Sequence, residues 1–436
     1  MKGRSGQQLA GDVRNISAFE VPLPSPSAGV ALAGFVPVRH WNGAGGGLSA
    51  SFLKVEQSDA KTTVIVAVDT LYLDAEFQAQ LQSRLSPNFN LVLVASHTHF
   101  APALAQTVGF LGSVDEDYFE SVIDCIAKAI QVERGRASVV MGCFTTTTDL
   151  TINRRREGLI LDYGRLRRGR INLRSGVSLA PNSTGMVDPE LRCISFLDAD
   201  GLPIACIWSL AAHAAFSNTY SAISPDFPGH VRAFLKERFG PEFVSIFVPG
   251  LAGSAIPNSP AKSFSRMSNK ERILRMLPFH HAIPPLDPIG YEDWSDRVGK
   301  LIAGPLLSLE YGPVTGGKVH YGKFRSQPIF EDAKQGGLCL DLSVIRLGNE
   351  VEIIFSNGEL LSEWKPLLDQ LPAKHGMRIV SGYAAGACLY VPPASEIARG
   401  GYEVDRFRQA FGLEGEFVDA IDTRVVSAFK HLLAKA

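Results

Sequence analysis

The chain has 436 residues, 45% of them hydrophobic and 20% charged, and its 43 basic side chains nearly balance the 44 acidic ones. This composition is that of a globular protein, and a net charge of -1 provides no long-range field to attract nucleic acid or an anionic membrane. No run approaches the ~20 apolar residues that span a bilayer, and residues 1–23 lack the apolar core of a secretion signal, which predicts a cytoplasmic protein without a transmembrane segment.

The predicted elements begin after an N-terminal region that is rich in glycine, proline and serine. We expect its first 60 residues to form an irregular surface segment. The run Thr62–Val68 is apolar and β-branched, which predicts a buried strand. Residues 91–95, 243–248 and 351–355 have the same character, and each run is followed by polar or glycine-rich residues.

Helical spacing appears between the predicted strands. Apolar residues recur on one helical face at Phe119, Val122, Ile123, Ile126 and Ile130. Strands that alternate with helices predict an α/β fold with central, mostly buried β-sheets flanked by helices. Ligands of such sheets bind beyond the carboxyl ends of the strands, so polar residues that follow a strand are the candidates for chemistry.

A cluster of arginines lies beyond the predicted helix. Its eight members fall within 21 residues: Arg154, Arg155, Arg156, Arg165, Arg167, Arg168, Arg170 and Arg174. The segment suits either a solvated hairpin or a clamp for a carboxylate or phosphate, which guanidinium groups bind through paired hydrogen bonds.

Histidines follow two of the apolar runs. His97 and His99 are two residues apart at the end of a predicted strand, so both imidazoles can project to one side, as a metal site or an acyl-transfer site requires. Hydrogen bonding to neighbouring loops is the alternative for this pair. His213 follows the apolar run 204–210, where a buried core histidine is the alternative to a metal ligand.

Six short motifs occur in an order that is more specific than any one of them. They are ASHTHFAP at 95–102, AHA at 212–214, ISPD at 223–226, NGEL at 357–360, YVPP at 390–393 and YE at 402–403. In this order they resemble segments of the amidase domain of neutral ceramidases, of the neutral/alkaline non-lysosomal type. The resemblance extends from about residue 62 to residue 411 and implies a fold like the N-terminal domain of that family.

The resemblance implies a zinc ion with a water at its remaining position, held by His97, His213, Glu359 and Tyr390. Imidazole nitrogen and carboxylate or phenolate oxygen suit Zn²⁺, and a catalytic site must leave one coordination position open. Considered without the resemblance, Glu359 could equally cap the following helix. Tyr390 would be interpreted as a half-buried core aromatic residue.

The resemblance also implies catalytic roles for His99, Arg154 and Tyr402. These groups would stabilise the developing oxyanion or pass a proton to the leaving amine. Without the resemblance, Tyr402 too would be interpreted as a core aromatic residue.

One departure from the family affects catalysis. The family motif Gly-Asp-Val-Ser-Pro-Asn, whose serine is essential, corresponds here to GSAIPN at 253–258, so Ile256 occupies the serine position. Isoleucine can neither attack a carbonyl nor donate a hydrogen bond. Three outcomes are open: Ser254 takes over a polar role, activated water acts without a serine, or the chain no longer hydrolyses amides.

The sequence thus predicts a zinc-dependent amidohydrolase in a single domain over residues 1–436, without the family's C-terminal immunoglobulin-like domain. Its substrate would be a lipid-like or polar N-acyl compound, with an anionic one as an option. A zinc hydrolase of esters or phosphoesters and a metal-binding but inactive homologue are the alternatives. The oligomeric state is open.

Overall fold

The computed structural model describes residues 9–58, 61–132, 139–161, 173–217, 221–276, 283–314, 317–372, 376–387 and 389–435. The strands of these ranges are β1 Leu9–Pro22, β2 Ala31–Leu32, β3 Arg39–His40, β4 Ser49–Gln57, β5 Thr62–Val68, β6 Phe89–Ala95, β7 Val140–Thr147, β8 Thr151–Leu161, β9 Leu173–Asn182, β10 Glu190–Leu197, β11 Pro203–Ser209, β12 Val244–Phe247, β13 Ala255–Pro257, β14 Gly312–Pro313, β15 Lys318–Asp332, β16 Gly336–Leu347, β17 Val351–Ser356, β18 Glu359–Leu360, β19 Met377–Ser381, β20 Tyr390–Val391 and β21 Gly415–Phe417.

The helices occupy the segments between these strands. They are α1 Ala75–Ser83, α2 Glu116–Gln131, α3 Asp226–Phe239, α4 Asn269–Met276, α5 Pro288–Leu306, α6 Lys365–Leu368, α7 Ala394–Arg399, α8 Phe407–Phe411 and α9 Ile421–Lys435. Short 3₁₀ turns lie at Gln106–Leu111, Phe264–Arg266 and Ser362–Trp364, and a π-helical turn lies at Tyr402–Arg406.

Two large sheets form the centre of the molecule. The first has nine strands in the order β19-β17-β16-β15-β1-β4-β5-β6, with β21 beside β15, and the second has five in the order β12-β11-β10-β7-β14. A smaller sheet contains β13, β8 and β9. Pairing is mostly antiparallel, but β5 with β6 and β17 with β19 are parallel in the large sheet, and β11 and β12 are parallel in the second.

The two large sheets pack face to face and are covered by helices on their outer faces. Ile65 and Val92 of the first sheet share one buried cluster with Ile207 and Ile246 of the second. On the outer side of the first sheet, α1 and α2 cover β5 and β6. On the outer side of the second sheet, α3 and α5 cover β11 and β12. The predicted α/β fold with buried central sheets and flanking helices is therefore confirmed.

Local sequence explains the helix that covers β6. The predicted apolar stripe from Phe119 to Ile130 lies inside α2 and is buried. Asp115 caps this helix, because its carboxylate accepts a hydrogen bond of 2.8 Å from the backbone N–H of Tyr118. The polar face of α2 is left to solvent, as its periodicity predicts.

The expectation of an irregular N-terminal segment is wrong in part. Residues 9–22 form β1 and residues 49–57 form β4, and both lie within the large sheet. Polar residues such as Lys54 and Ser17 alternate irregularly with apolar ones in these strands, and β1 has a register shift between Val13 and Asn15. The strand periodicity of β1 is therefore interrupted, and this explains why composition and pattern did not predict the strand.

No described helix has the length and apolar character needed to cross a membrane. The single domain over residues 1–436 stays a prediction.

Candidate metal centre and adjoining cavity

Three histidines from different strand ends meet in the interior. His97 and His99 follow β6, which is parallel to β5, and His213 follows β11, which is parallel to β12. The ring centroids of His97 and His213 are 4.8 Å apart, and those of His97 and His99 are 5.0 Å apart. One potential ligand atom from each of the three lies within 4.8 Å of the other two. The cluster could therefore hold a metal ion.

The backbone at His97 adopts a conformation that is unusual for its residue type. Its φ angle is +62°, in the left-handed region, while its side chain is 2% exposed. Such a conformation in a bulky residue costs of order 1–3 kcal/mol and persists only where surrounding structure enforces it. The conformation that directs the His97 imidazole towards those of His99 and His213 is therefore unfavourable by itself, and the surrounding structure maintains it.

Backbone carbonyls orient all three imidazole rings. The contacts from each Nδ1 atom are His97 to the carbonyl of Leu71 at 3.0 Å, His99 to that of Gly34 at 3.0 Å and His213 to that of Ala252 at 2.7 Å. A carbonyl can only accept, so each Nδ1 carries the proton and each Nε2 presents a lone pair. This arrangement is typical of histidines that bind metal through Nε2.

A glycine permits the contact with His99. Gly34 has a φ angle of +107°, and a Cβ atom there would lie 2.4 Å from His99 Nδ1. A larger residue at this position would both strain the backbone and displace the ring.

Several polar atoms inside the cluster have no hydrogen-bond partner. His97 Nε2, His99 Nε2 and Glu359 Oε2 are buried and unpartnered among the described residues. Buried polar atoms in folded proteins are nearly always paired, so these three call for an explanation such as an ion. Burial lowers the pKa of His97 and His213 and lowers that of His99 to about 3, so the three rings are neutral, as ligands must be.

Glu359 and Tyr390 complete the cluster through a short parallel strand pair. They are direct partners in the register of β18 and β20, so their side chains leave the pair together. Glu359 Oε2 lies 3.4 Å from His97 Nε2 and 3.6 Å from His213 Nε2, and the Tyr390 hydroxyl lies 3.5 Å from His213 Nε2. Tetrahedral zinc with bonds of ~2.0–2.1 Å separates its ligand atoms by about 3.3–3.4 Å. The donor set suggested by the sequence therefore fits zinc.

Two further tyrosines border the cluster, and sequence reasoning missed both. Tyr72 donates a short hydrogen bond to Glu359 Oε1, and the ring of Tyr383 lies 4.5 Å from that of His97. Burial raises the pKa of Glu359 to about 7, although Tyr72 and Arg154 act in the opposite direction. Tyr72 follows β5 closely, so its position after a buried strand was the available signal.

Arg154 borders the cluster and is held on both sides. Its Nε donates to Glu403 Oε1 at 2.9 Å, and its Nη2 donates to the carbonyl of Gly253 at 2.8 Å and to the Tyr390 hydroxyl at 3.1 Å. Glu403 also accepts a hydrogen bond of 2.6 Å from Arg155. Sequence reasoning quoted Glu403 in a motif but gave it no role.

A cavity of about 600 Å³ opens beside the cluster. Its polar lining consists of His99, His213, Arg154, Arg406, Tyr390 and Tyr402, and its apolar lining includes Phe35, Phe110, Leu179, Phe216 and Ile283. Burial raises the pKa of Tyr402 to about 12, so its hydroxyl keeps its proton. The predicted catalytic residues His99, Arg154 and Tyr402 therefore all line one space.

A larger cavity of about 910 Å³ lies elsewhere, and its described lining includes Arg156, Glu157, Glu396 and Arg399. None of its described lining residues is a histidine, a tyrosine or a cysteine. We therefore take the smaller cavity as the candidate site.

Ser254 and Ile256 are not among the described lining residues of the smaller cavity, although the Ser254 carbonyl accepts a hydrogen bond of 2.8 Å from the backbone N–H of Arg154. The Ser254 hydroxyl donates to Glu363 at 2.5 Å and accepts from the backbone N–H of Ser362 at 3.0 Å. Ile256 is 1% exposed and pairs with Ile152 between β13 and β8. A catalytic role for Ser254 stays a prediction.

The arginine-rich segment separates into parts with different surroundings. Arg154 and Arg155 are buried in ion pairs, whereas Arg156 and Arg174 are exposed. Arg165, Arg167, Arg168 and Arg170 lie outside the described residues. The anion clamp suggested for this segment stays a prediction.

The fold is shared with solved ceramidase structures. A neutral ceramidase from Pseudomonas aeruginosa matches with a TM-score of 0.64 and 15% identity, over 97% of this chain and 74% of that one. A ceramidase complexed with C2 matches with a TM-score of 0.63 and 13% identity, over 97% of this chain and 75% of that one. No protein-family model and no curated protein matches the sequence. The resemblance to neutral ceramidases is therefore confirmed in the fold.

Proposed function

We propose that this protein is a zinc-dependent amidohydrolase that cleaves an N-acyl bond. The observation that carries the proposal is the convergence of carbonyl-anchored histidines and Glu359 on one buried space, where three polar atoms lack partners. That space adjoins a cavity whose described lining combines apolar side chains with polar groups. The names of the structural neighbours, which are ceramidases, support an amide as the bond.

The zinc would be held by His97, His213, Glu359 and Tyr390. Zinc supplies a Lewis acid for the amide carbonyl and lowers the pKa of water towards ~7. Tyr72 restrains Glu359 through its hydrogen bond to Oε1, so Oε2 is the oxygen that faces His97 and His213. Such outer contacts fix the orientation of a ligand and raise metal affinity.

His99, Arg154 and Tyr402 would act on the substrate. His99 lines the cavity, and its neutral imidazole would accept a hydrogen bond from the attacking water. Arg154 and Tyr402 are donors on the cavity wall for the oxyanion, where one well-placed donor is worth ~2.7–4 kcal/mol.

We assign no step to Ser254, because its hydroxyl bonds to Glu363 and Ser362. Attack by water without a serine is the outcome that best suits buried Ile256. The same Ile256 favours one rival, a protein that binds metal without hydrolysing amides.

Metal analysis after purification, with His97→Ala and His213→Ala as test variants, examines the proposal. Wild type should contain one zinc per chain and both variants should contain none, while exposed His230→Ala on α3 serves as the control and should keep it. The loaded proteins are then assayed with an N-acyl amide, the matching ester and a phosphate monoester. Hydrolysis of the amide that is lost in both variants supports the proposal. Bound zinc with no hydrolysis of any substrate would favour the inactive homologue.

A further inference from the structure

The cavity beside the histidine cluster has an unbalanced charge. Its described lining contains two arginines, Arg154 and Arg406, and no aspartate or glutamate. Arg154 is neutralised by Glu403 at 2.9 Å, outside the lining. Arg406 therefore supplies the uncompensated charge of this cavity within the described part of the chain.

Arg406 differs from the arginines around it. Arg155 is paired with Glu396 and Glu403, and Arg408 donates to the carbonyls of Val404 and Gly415. Arg406 is exposed and makes no hydrogen bond or ion pair with any residue that the structure describes. Its guanidinium is available to a ligand.

The local backbone brings Arg406 to the same space as Tyr402. Both belong to the π-helical turn Tyr402–Arg406, a rare conformation that is frequent at functional sites. They are four residues apart, and both line the cavity. The ring of Tyr402 lies 5.8 Å from that of Tyr390, so the turn that carries Arg406 also packs beside a residue of the histidine cluster's predicted donor set.

The rest of the described lining is largely apolar. Phe35, Phe110, Leu111, Phe216 and Ile283 contribute to it, and Phe35 is held by the guanidinium of Arg39 at 3.7 Å from its ring centroid. A volume of about 600 Å³ is in the range of small-molecule sites. The space suits an amphiphile with an apolar chain and an anionic group.

We propose that the substrate is an N-acyl amino acid, whose carboxylate binds Arg406 and whose acyl chain lies along the apolar wall. This inference rests on the proposed function, since it names the substrate of that site. Guanidinium pairs with carboxylate through two parallel hydrogen bonds, and apolar surroundings strengthen the attraction. A neutral amine portion would leave the guanidinium without a counter-charge.

The reaction balances as a hydrolysis. The amide C–N bond breaks and a C–O bond forms from water, giving a fatty carboxylate and a free amino acid. Both protons of the water end on the departing nitrogen, so the amino acid leaves with a protonated amine. No oxidant or second substrate is needed.

Equilibrium binding to the metal-free protein tests the inference without turnover. N-dodecanoylglycine and N-dodecanoylethanolamine have the same chain and differ in carboxylate against hydroxyl. Calorimetry should show the glycine compound binding about tenfold more tightly or better, because a hydrogen bond to a charged group contributes ~1.5–3 kcal/mol. The preference should shrink as salt rises from roughly 0.05 M to 0.5 M.

Variants of Arg406 test whether its guanidinium causes the preference for the glycine compound. Arg406→Gln should remove most of it, whereas Arg14→Gln, an exposed arginine on β1 outside the cavity, should preserve it. Arg406→Glu should reverse the order and favour N-dodecanoylethylenediamine, which carries an ammonium in the same place. Equal affinities in wild type, or an unchanged preference in Arg406→Gln, would overturn the inference.

Turnover of the zinc-loaded enzyme separates this inference from the proposed function. A higher kcat/KM for the glycine compound, lost in Arg406→Gln, supports both. Hydrolysis of both amides at equal rates overturns the substrate assignment and leaves the amidohydrolase intact. Hydrolysis of neither, with the binding preference present, overturns the amidohydrolase and leaves Arg406 as a carboxylate-binding residue.

Discussion

Two polar regions are buried next to each other in this molecule, and they differ in how well their atoms are partnered. In the arginine network, defined by Arg154, Arg155, Glu396 and Glu403, charged groups pair at 2.6–2.9 Å. In the histidine cluster, formed by His97, His99, His213 and Glu359, three polar atoms have no hydrogen-bond partner in the described part of the chain.

This difference indicates different roles. A complete network stabilises the positions of its own side chains, since every buried charge already has a counter-charge. An incomplete cluster in a well-packed interior instead calls for a partner such as a water or an ion. The network should therefore respond to mutation through stability, and the cluster through ligand binding.

The largest effect should come from Glu403→Ala. It leaves both Arg154 and Arg155 without a carboxylate in a site where Glu403 is 0% exposed, so we expect a loss of about 3–5 kcal/mol in the free energy of unfolding. Urea denaturation measures it. The control Glu157→Ala removes the exposed partner of Arg399 and should cost at most about 1 kcal/mol. Equal losses in the two variants would remove the distinction between buried and exposed pairs.

Zinc should stabilise the wild type and not His213→Ala. At a free zinc concentration of about 100 times Kd, binding to the folded state alone adds about 2.7 kcal/mol to the free energy of unfolding. Thermal denaturation with and without a chelator measures the gain, and His230→Ala should retain it. A gain in His213→Ala equal to that of wild type would show that zinc binds elsewhere.

Tyr72→Phe tests how the cluster is oriented. The ring that packs against His97 is kept, but Glu359 loses the hydroxyl that holds Oε1. We expect zinc affinity to fall about 10–100-fold with little change in fold, as is usual for an outer hydrogen bond to a metal ligand. Competition with a chromophoric chelator gives the affinity. Wild-type affinity in this variant would mean that packing alone positions Glu359.

The last expectation concerns pH and the metal-free protein. Burial lowers the pKa of His99 to about 3 in the folded state, against an ordinary value near 6.5 when unfolded. The unfolded chain binds more protons between these values, so this histidine's contribution to stability is complete above about pH 6.5 and is lost as the pH falls towards 3. His99→Gln should reduce the slope of stability against pH by about 1.4 kcal/mol per pH unit in that window. Urea titrations in a chelator at several pH values provide the slopes, and parallel curves for the two proteins would contradict the expectation.

The sequence predicted the elements whose signal is local and the cluster whose signal is chemical. The apolar runs of β5 and β6 and the stripe in α2 are strong local signals, and polar motifs after apolar runs pointed to His97 and His213, while Glu359 and Tyr390 came from the resemblance. Their convergence depends on the sheets packing together, which no single motif encodes. The ordered motifs supplied that information through a resemblance.

What the sequence could not provide depends on contacts between distant residues. β1 and β4 are mixed in composition because each is only one part of a wide sheet, and their burial comes from neighbours. Glu403 and Arg154 lie 249 positions apart, so nothing local reveals that they pair. The eight arginines look alike in the sequence, but two are sequestered in the interior while others face solvent.

The short pairing of β18 with β20, where Glu359 stands opposite Tyr390, joins segments that follow different strands, while His97 and His213 come from separate sheets. A complete binding constellation therefore exists only once both layers have assembled and this two-residue ladder has closed. Binding of a metal ion here would consequently be a late step of folding. The spectroscopic signal of cobalt bound during refolding would then report when the two large sheets pack together, rather than when secondary structure forms.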